Sequence, residues 1–172
     1  METDLPFDLL IMDIDGVLTD GTKMYDRDGK VFGKVYCDLD FTAIKRFRAA
    51  GIRLCFLSGD QTVNKAMAEY RKVDFHYCRG INKVDMLPGI RKHYAAKKVA
   101  YVGDDIYDIP ILAAVEISFC PRTSPSSVKN AAMFTVPIDA GKGVLAGIYD
   151  MFEEKGMLPC ILPKDSDATV LY

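Results

Sequence analysis

The sequence lacks the signals of several protein classes. No apolar run approaches the roughly 20 residues that span a bilayer, and residues 1–6 carry acidic rather than basic side chains. We therefore expect a soluble, cytoplasmic protein without a membrane partner. The formal net charge is only -2, with 22 basic and 24 acidic residues. A nucleic-acid-binding protein would carry a basic patch, so we expect no nucleic-acid partner.

Cysteine usage argues against a disulfide framework. The chain has five cysteines, an odd number, and none of them forms a C-x-x-C pair. Cys55 and Cys120 lie within apolar runs, where a thiol usually behaves as a small hydrophobic side chain. We expect reduced cysteines that take no part in catalysis.

No internal repeat, low-complexity block or linker rich in proline, glycine or serine divides the 172 residues. Hydrophobic residues make up 49% and charged residues 27%, which is typical of a globular domain. We predict one domain over residues 1–155, followed by an irregular tail over residues 156–172, where prolines and a polar run follow the last helix.

Short apolar runs alternate with helix-length segments along most of the chain. Strands are predicted at 9–12, 53–57, 75–78, 99–102, 116–119 and 133–136, and helices at 40–50, 61–71, 83–96, 106–114, 125–131 and 143–155. This alternation predicts an α/β fold with a doubly wound, Rossmann-like parallel sheet. The segment 17–36 departs from it, because two short strand patterns flank a turn there, and it predicts a β-hairpin flap after the first strand.

Polar side chains follow four of the predicted strands. Since the carboxyl ends of parallel strands share one edge of a doubly wound sheet, we expect these side chains to meet there. Carboxylates, a hydroxyl and an ammonium group suit phosphoryl transfer with a hard cation. An isolated D-x-D-G is also common in solvated turns, but four suitable strand ends favour a single site. The residues are Asp13, Asp15, Ser58, Gly59, Lys83, Asp104, Asp105 and Asp108.

In this order, these residues resemble the four motifs of the haloacid dehalogenase (HAD) superfamily. The motifs read Asp13-x-Asp15-Gly-x-x-Thr19, Ser58, Lys83 and Gly103-Asp104-Asp105-x-x-Asp108. The resemblance covers residues 8–150, and the gaps between the motifs leave no room for a large cap domain. The run from Asp15 to Gly21, the hairpin and Ile44-Lys45 are similar to the 3-deoxy-D-manno-octulosonate 8-phosphate phosphatases and their nonulosonate 9-phosphate relatives.

The resemblance implies a Mg²⁺-dependent phosphomonoester hydrolase that acts on a small sugar-type phosphate, with a 3-deoxy-ulosonate phosphate as the leading candidate. Asp13 would form a phospho-aspartate, and Asp15 would donate and accept the proton. The phosphoryl oxygens would contact Ser58, Gly59 and Lys83. By the same resemblance, neighbouring subunits of a homotetramer would close each uncapped site.

The resemblance also implies a metal site. Asp13, the backbone carbonyl of Asp15 and Asp104 would bind Mg²⁺, while Asp105 and Asp108 would orient these ligands or their waters. Thr19 would either orient Asp15 or stabilise its turn, and the sequence favours neither role.

Three positions depart from the subfamily pattern and are candidates for substrate specificity. Asp60 stands where relatives have arginine, Lys65 lies in place of an arginine-rich segment, and Lys142 lies in a glycine-rich run without the usual arginine and glutamate. Arginine is the side chain best suited to bidentate carboxylate binding, so its loss leaves a neutral sugar phosphate as an alternative substrate.

Two other protein classes match part of the pattern. A response-regulator receiver also gathers acids, a hydroxyl and a lysine at strand ends, but it takes its acidic pair and its phospho-acceptor from different strands. A catalytically weak oligomerisation module, related to the phosphatase-like domain of some sugar-acid cytidylyltransferases, would keep the fold without needing every chemical position. All of these positions are present here, which favours an enzyme.

Overall fold

The computed structural model describes residues 5–162 and confirms the predicted α/β fold. Six parallel strands form the central sheet: β1 (Leu9–Met12), β4 (Arg53–Ser58), β5 (Asp74–Tyr77), β6 (Val99–Val102), β7 (Ile117–Pro121) and β8 (Phe134–Val136). Two further strands, β2 (Met24–Tyr25) and β3 (Val31–Gly33), pair antiparallel as the predicted hairpin flap. The described residues contain no large cap domain, and they contain no helix that is long and apolar enough to cross a membrane.

The helices agree with the predicted positions within a few residues, with one exception. They are α1 (Asp38–Ala49), α2 (Val63–Tyr70), α3 (Lys83–Tyr94), α4 (Ile109–Leu112), α5 (Ser126–Ala131) and α6 (Val144–Glu153). The exception is the helix predicted over residues 106–114, which is instead a 3₁₀ turn at Ile106–Asp108 followed by the four residues of α4. The Asp105 side chain caps that turn, and Pro110 lies within the first turn of α4.

The order of strands in the sheet, β5-β4-β1-β6-β7-β8, places the start of the chain at the centre. The chain leaves β1 towards β4 on one side and later returns to β6 on the other, so β1 ends where the winding direction reverses. In open α/β sheets, ligands bind in the crevice beyond the carboxyl ends of the strands at such a switch point. The residues after β1 therefore lie where the fold provides a binding crevice.

Alternate residues of β1 point to opposite faces of the sheet and build two cores. Leu10 and Met12 belong to a cluster that includes Phe47 of α1 and Tyr149 of α6. Leu9 and Ile11 belong to the second cluster, which contains residues of α3 and α4. All four β1 side chains are fully buried. A strand buried on both faces reads as a continuous apolar run, which is why β1 is easy to locate in the sequence. Cys55 and Cys120, which lie within apolar runs of the sequence, are free and buried.

Helix α1 ends two residues before Gly51. Gly51 has a φ of +87°, a left-handed conformation that favours glycine, and its N–H donates to the Arg48 carbonyl. Ile52 N–H then donates to the Phe47 carbonyl, which directs the chain into β4.

The predicted tail begins at residue 156, but residues 163–172 lie outside the described part of the chain, so the prediction for them is not tested.

Candidate active site

The turn after β1 brings two strand ends into contact. Asp13 N–H donates to the Val102 carbonyl at 3.0 Å, which continues the pairing of β1 with β6. The chain then turns at Gly16, whose φ is +79°. A Cβ atom added to Gly16 would lie 1.9 Å from the Asp104 carboxylate. The glycine of the D-x-D-G motif therefore allows the loops after β1 and β6 to approach each other.

Asp13 is nearly buried, and both of its carboxylate oxygens are held. Oδ1 accepts the N–H of Ile14 at 2.7 Å, and Oδ2 lies 2.5 Å from Lys83 Nζ. Burial raises the pKa of Asp13 to about 6, although the Lys83 ammonium opposes this shift. Burial disfavours the ammonium too, but Asp13 and Asp108 raise the pKa of Lys83 above its ordinary value. The pair fixes a carboxylate beside a cation at the end of the central strand.

Asp108 is fully buried, and protein donors occupy both of its oxygens. Oδ1 accepts from Lys83 at 2.6 Å and from the Tyr101 hydroxyl at 2.7 Å. Oδ2 accepts the N–H groups of Asp104 and Asp105 at 2.9 Å and 3.0 Å. Asp108 therefore shapes the loop after β6 and fixes Lys83.

The donor set fits a hard divalent cation. Oxygen atoms of Asp13, Asp104 and Asp108 lie within 4.8 Å of one another. Burial, followed by the charges of Asp13, Asp108 and Asp105, raises the pKa of Asp104 to about 8. Neighbouring carboxylates repel one another, and a cation that prefers oxygen ligands would remove that cost. Each Asp108 oxygen already accepts two hydrogen bonds, whereas each Asp13 oxygen has one partner, so Asp13 and Asp104 have more lone pairs left to hold it.

Asp15 contacts a residue that the sequence reasoning missed. Lys34, which follows β3 of the flap, has a side chain with 0% exposure, and its Nζ donates to Asp15 at 2.8 Å and to Asp60 at 2.7 Å. Asn64 of α2 donates to the same Asp15 oxygen at 3.1 Å and accepts from Lys34 at 2.8 Å. Burial favours the protonated form of Asp60, but the hydrogen bonds from Lys34 and Thr62 outweigh this effect. The net result is a pKa of Asp60 below its ordinary value.

Ser58 lies at the end of β4, next to this network. It is buried, and its Oγ accepts from the Asp60 N–H at 3.3 Å and from Asn64 Nδ2 at 3.1 Å. With its acceptor positions used, the hydroxyl proton is available to a ligand oxygen.

Thr19 is fully buried, and its Oγ1 accepts the N–H of Gly21 at 3.2 Å, a contact that stabilises the turn. Asp105 is exposed and caps the 3₁₀ turn through Ile106 N–H.

Two adjoining cavities open onto the central carboxylates. One, of about 380 Å³, is lined by the predicted residues Asp13, Asp15, Ser58, Gly59, Asp60, Lys83, Asp104 and Asp105, together with Gly16, Gly21 and Lys23. The other, of about 460 Å³, shares Asp13, Gly59, Lys83 and Asp105 and adds the loop from Cys78 to Asn82 and Tyr107. The structure thus brings the predicted catalytic, phosphate-binding and metal residues to one edge of the sheet.

Two of the predicted specificity residues lie outside these cavities. Lys65 is half-exposed on α2, with its Nζ 3.8 Å from Glu69. Lys142 is exposed in the loop before α6 and lines neither cavity. Instead, the larger cavity contains Arg79, a cation that the sequence reasoning did not consider. Its position after β5, at the same sheet edge as Lys83, was the signal that could have identified it.

No protein-family model matches the chain. The chain is 32% identical over 145 residues to the 3-deoxy-D-manno-octulosonate 8-phosphate phosphatase KdsC of Haemophilus influenzae, covering 83% of this chain and 80% of the relative. Among solved structures, the cobalt-bound form of the deoxy-D-mannose-octulosonate 8-phosphate phosphatase from Haemophilus influenzae superposes with a TM-score of 0.80 and 29% identity, over 87% of this chain and 86% of that one. A putative HAD family hydrolase from Streptomyces avermitilis also gives a TM-score of 0.80, with 26% identity over 90% and 92% of the two chains.

Proposed function

The chain belongs to the 3-deoxy-D-manno-octulosonate 8-phosphate phosphatase family of HAD-type hydrolases, and from this membership we propose that it hydrolyses a 3-deoxy-ulosonate phosphate with the help of Mg²⁺. The leading substrates are an octulosonate 8-phosphate and a nonulosonate 9-phosphate. The observation that carries the proposal is the placement of Asp13, which contacts the Lys83 ammonium and has an oxygen within 4.8 Å of the Asp104 carboxylate, with Asp15 two residues away.

We infer that Asp13 is the nucleophile. Its oxygens are fixed by Ile14 N–H and Lys83, so the carboxylate is already oriented before a phosphate arrives. In the first step an Asp13 oxygen bonds to phosphorus, the bond from phosphorus to the sugar oxygen breaks, and Asp15 gives its proton to that oxygen. In the second step Asp15 takes a proton from water, which attacks phosphorus and releases Asp13 and inorganic phosphate.

The remaining residues hold the phosphoryl group and the cation. Lys83, the Ser58 hydroxyl and the N–H of Gly59 line the cavity and would bind the phosphoryl oxygens, whose negative charge they stabilise. Mg²⁺ would be held by Asp13, Asp104 and the carbonyl of Asp15, and when bound it neutralises charge on the carboxylates and the phosphate. Asp105 and Asp108 would keep this loop in shape through their hydrogen bonds.

The position of Arg79 in the larger cavity favours a substrate that carries a carboxylate. It lines the cavity of about 460 Å³ beside Asp13 and forms no ion pair with the described residues. Lys83, by contrast, is already neutralised by Asp13 and Asp108. An unpaired guanidinium matches the bidentate geometry of a carboxylate, so Arg79 would replace the arginines that the chain lacks elsewhere. Asp60 need not repel that carboxylate, because Lys34 is bound to it.

The substrate proposal is tested by phosphate release from an octulosonate 8-phosphate, a nonulosonate 9-phosphate and neutral sugar phosphates, each with Mg²⁺ and with chelator. We expect Arg79→Ala to raise KM for the acidic substrates by about 10-fold or more and to change KM for neutral ones by less than about 3-fold, because only the former lose a charge-assisted pair. Arg27→Ala, at an exposed arginine of the flap turn, is the matched control. Faster turnover of neutral esters by the wild type would favour the neutral sugar phosphate instead.

We further propose a homotetramer in which the flap of one subunit helps to close the site of its neighbour. The flap exposes large apolar side chains, with Tyr25, Phe32 and Val35 at 60%, 62% and 71% exposure. Large exposed apolar patches on soluble proteins usually mark interaction surfaces. Analytical ultracentrifugation should give a tetramer for the wild type and smaller species for Phe32→Asp. A monomeric wild type with full activity would contradict this assembly.

A further inference from the structure

Lys34 is a buried ammonium group that the flap places in the active site. Its side chain has 0% exposure. Nζ donates to Asp15 Oδ2 at 2.8 Å, Asp60 Oδ2 at 2.7 Å and Asn64 Oδ1 at 2.8 Å. A lysine ammonium has three N–H donors, and here three acceptors occupy them. The flap is therefore joined to β1, through Asp15, and to the β4–α2 segment by one fully satisfied cation.

Packing alone does not explain a charge at this position. Burying an ammonium costs several kcal/mol unless it is paired, and apolar residues of similar size often stabilise a fold as well as or better than a buried ion pair. The neighbouring residues of the flap are largely exposed, including Phe32 and Val35. Lys34 is nevertheless buried, and it contacts the carboxyl group to which the proposed mechanism assigns the proton transfers.

Both oxygens of Asp15 lie close to Lys34 Nζ. Oδ2 accepts hydrogen bonds from Lys34 and from Asn64 Nδ2, at 2.8 Å and 3.1 Å. Oδ1 is buried and lies 2.7 Å from Lys34 Nζ. The carboxyl group is therefore held through both oxygens, while its side chain remains 24% exposed and lines the cavity of about 380 Å³. Asn64 is fully buried and also accepts a hydrogen bond from the Tyr36 hydroxyl, so the position of the Asn64 side chain is itself fixed.

We propose that Lys34 is the positioning residue of the proton-transfer step. Lys34 holds the Asp15 carboxyl at the wall of the cavity so that this group can give its proton to the leaving sugar oxygen as the bond to phosphorus breaks. The ammonium then stabilises the carboxylate that remains, which takes a proton from the attacking water in the second step. Lys34 keeps its own protons throughout. This inference rests on the proposed function, because it assumes that Asp15 serves as acid and base.

The test compares two leaving groups. One substrate is p-nitrophenyl phosphate, whose phenolate leaves without protonation, and the other is the alkyl sugar phosphate that the wild type hydrolyses fastest. Lys34→Met should lower kcat on the alkyl ester by about 100-fold and on p-nitrophenyl phosphate by less than about 5-fold, because only the alkoxide needs a positioned acid. Lys34→Arg, which keeps the charge, should recover part of the alkyl activity. Lys30→Met, at an exposed lysine of the same flap, should match the wild type on both substrates.

An equal loss on both substrates, or a rise in KM with kcat unchanged, would show that Lys34 only supports the fold or binds phosphate. Should Lys34→Met fail to fold, Asn64→Ala takes its place, since it removes one donor to Asp15 and leaves the lysine. It must lower alkyl turnover by about 10-fold more than aryl turnover, or the inference fails. A wild type that hydrolyses nothing overturns the proposed function as well, whereas an active wild type with a uniform loss in Lys34→Met overturns this inference alone.

Discussion

Asp13→Asn should lower kcat by at least about 10⁴-fold, because it removes the nucleophile while preserving the shape of the side chain. The amide oxygen of asparagine can still accept the N–H of Ile14, which Asp13 Oδ1 does at 2.7 Å. It cannot bond to phosphorus as a carboxylate does, and it loses the charge that pairs with Lys83. The measurement is phosphate release at saturating substrate and Mg²⁺.

The control for this variant is Asp28→Asn, which makes the same chemical change at an exposed position of the flap turn. It should keep wild-type turnover and wild-type thermal stability. Activity of Asp13→Asn within about 10-fold of the wild type would exclude Asp13 as the nucleophile, since loss of a covalent catalyst costs far more than that.

Turnover and stability should both depend on a bound divalent metal. Chelation should abolish turnover, and Mg²⁺ should stabilise the protein more strongly at pH 8 than at pH 5.5. The cause is that the pKa values of two carboxyl groups in the site are raised. Burial raises the pKa of Asp13 to about 6, and burial and neighbouring carboxylates raise that of Asp104 to about 8, whereas the ordinary value is 3.8.

The direction of this pH dependence follows from the number of protons that the folded and unfolded states bind. In the metal-free protein the folded state keeps protons that the unfolded state has released above pH 3.8, so stability falls as pH rises from about 4 to about 8. At pH 8 the bound cation removes this penalty, while at pH 5.5 it must first displace protons. At 100 times its Kd, Mg²⁺ contributes about 2.7 kcal/mol, which corresponds to roughly 5–10 °C in the Tm of a domain this size.

Thermal unfolding with Mg²⁺ and with chelator at the two pH values measures this effect. Asp104→Asn should reduce the Mg²⁺-dependent rise in Tm at pH 8, because it removes one proposed ligand and much of the repulsion around Asp13. A rise in Tm that is equal at both pH values, or a chelated enzyme with full turnover, would contradict the metal site.

The sequence was enough to locate the sheet and the edge at which the candidate site lies. Strands such as β1 and β6 are buried on both faces, so they read as unbroken apolar runs whose ends are easy to find. Because parallel strands end at one edge, the polar residues that follow them were expected to meet, and Asp13, Lys83 and Asp104 do so. The 3₁₀ turn at Ile106–Asp108 was not predicted, since it depends on the capping contacts of Asp105 and Asp108.

The sequence did not reveal Lys34 because its role depends on contacts between distant segments. Its partners lie 19, 26 and 30 residues away, and they meet only once the flap has folded over α2. The pattern of the hairpin gives no sign of a buried cation, because most of its side chains are exposed. Arg79 follows β5 at the same sheet edge, but its place in the wall of the larger cavity is seen only in the folded chain.

The most direct test of Asp13 as the nucleophile is a single-turnover experiment with substrate labelled with ³²P, quenched in acid within milliseconds. We predict that label remains on the wild-type protein, is released by hydroxylamine as an acyl phosphate should be, and maps by mass spectrometry to the peptide that contains Asp13. Asp13→Asn should carry no label. If inorganic phosphate forms without any labelled protein, or if the label lies on another residue, the central role given to Asp13 is wrong.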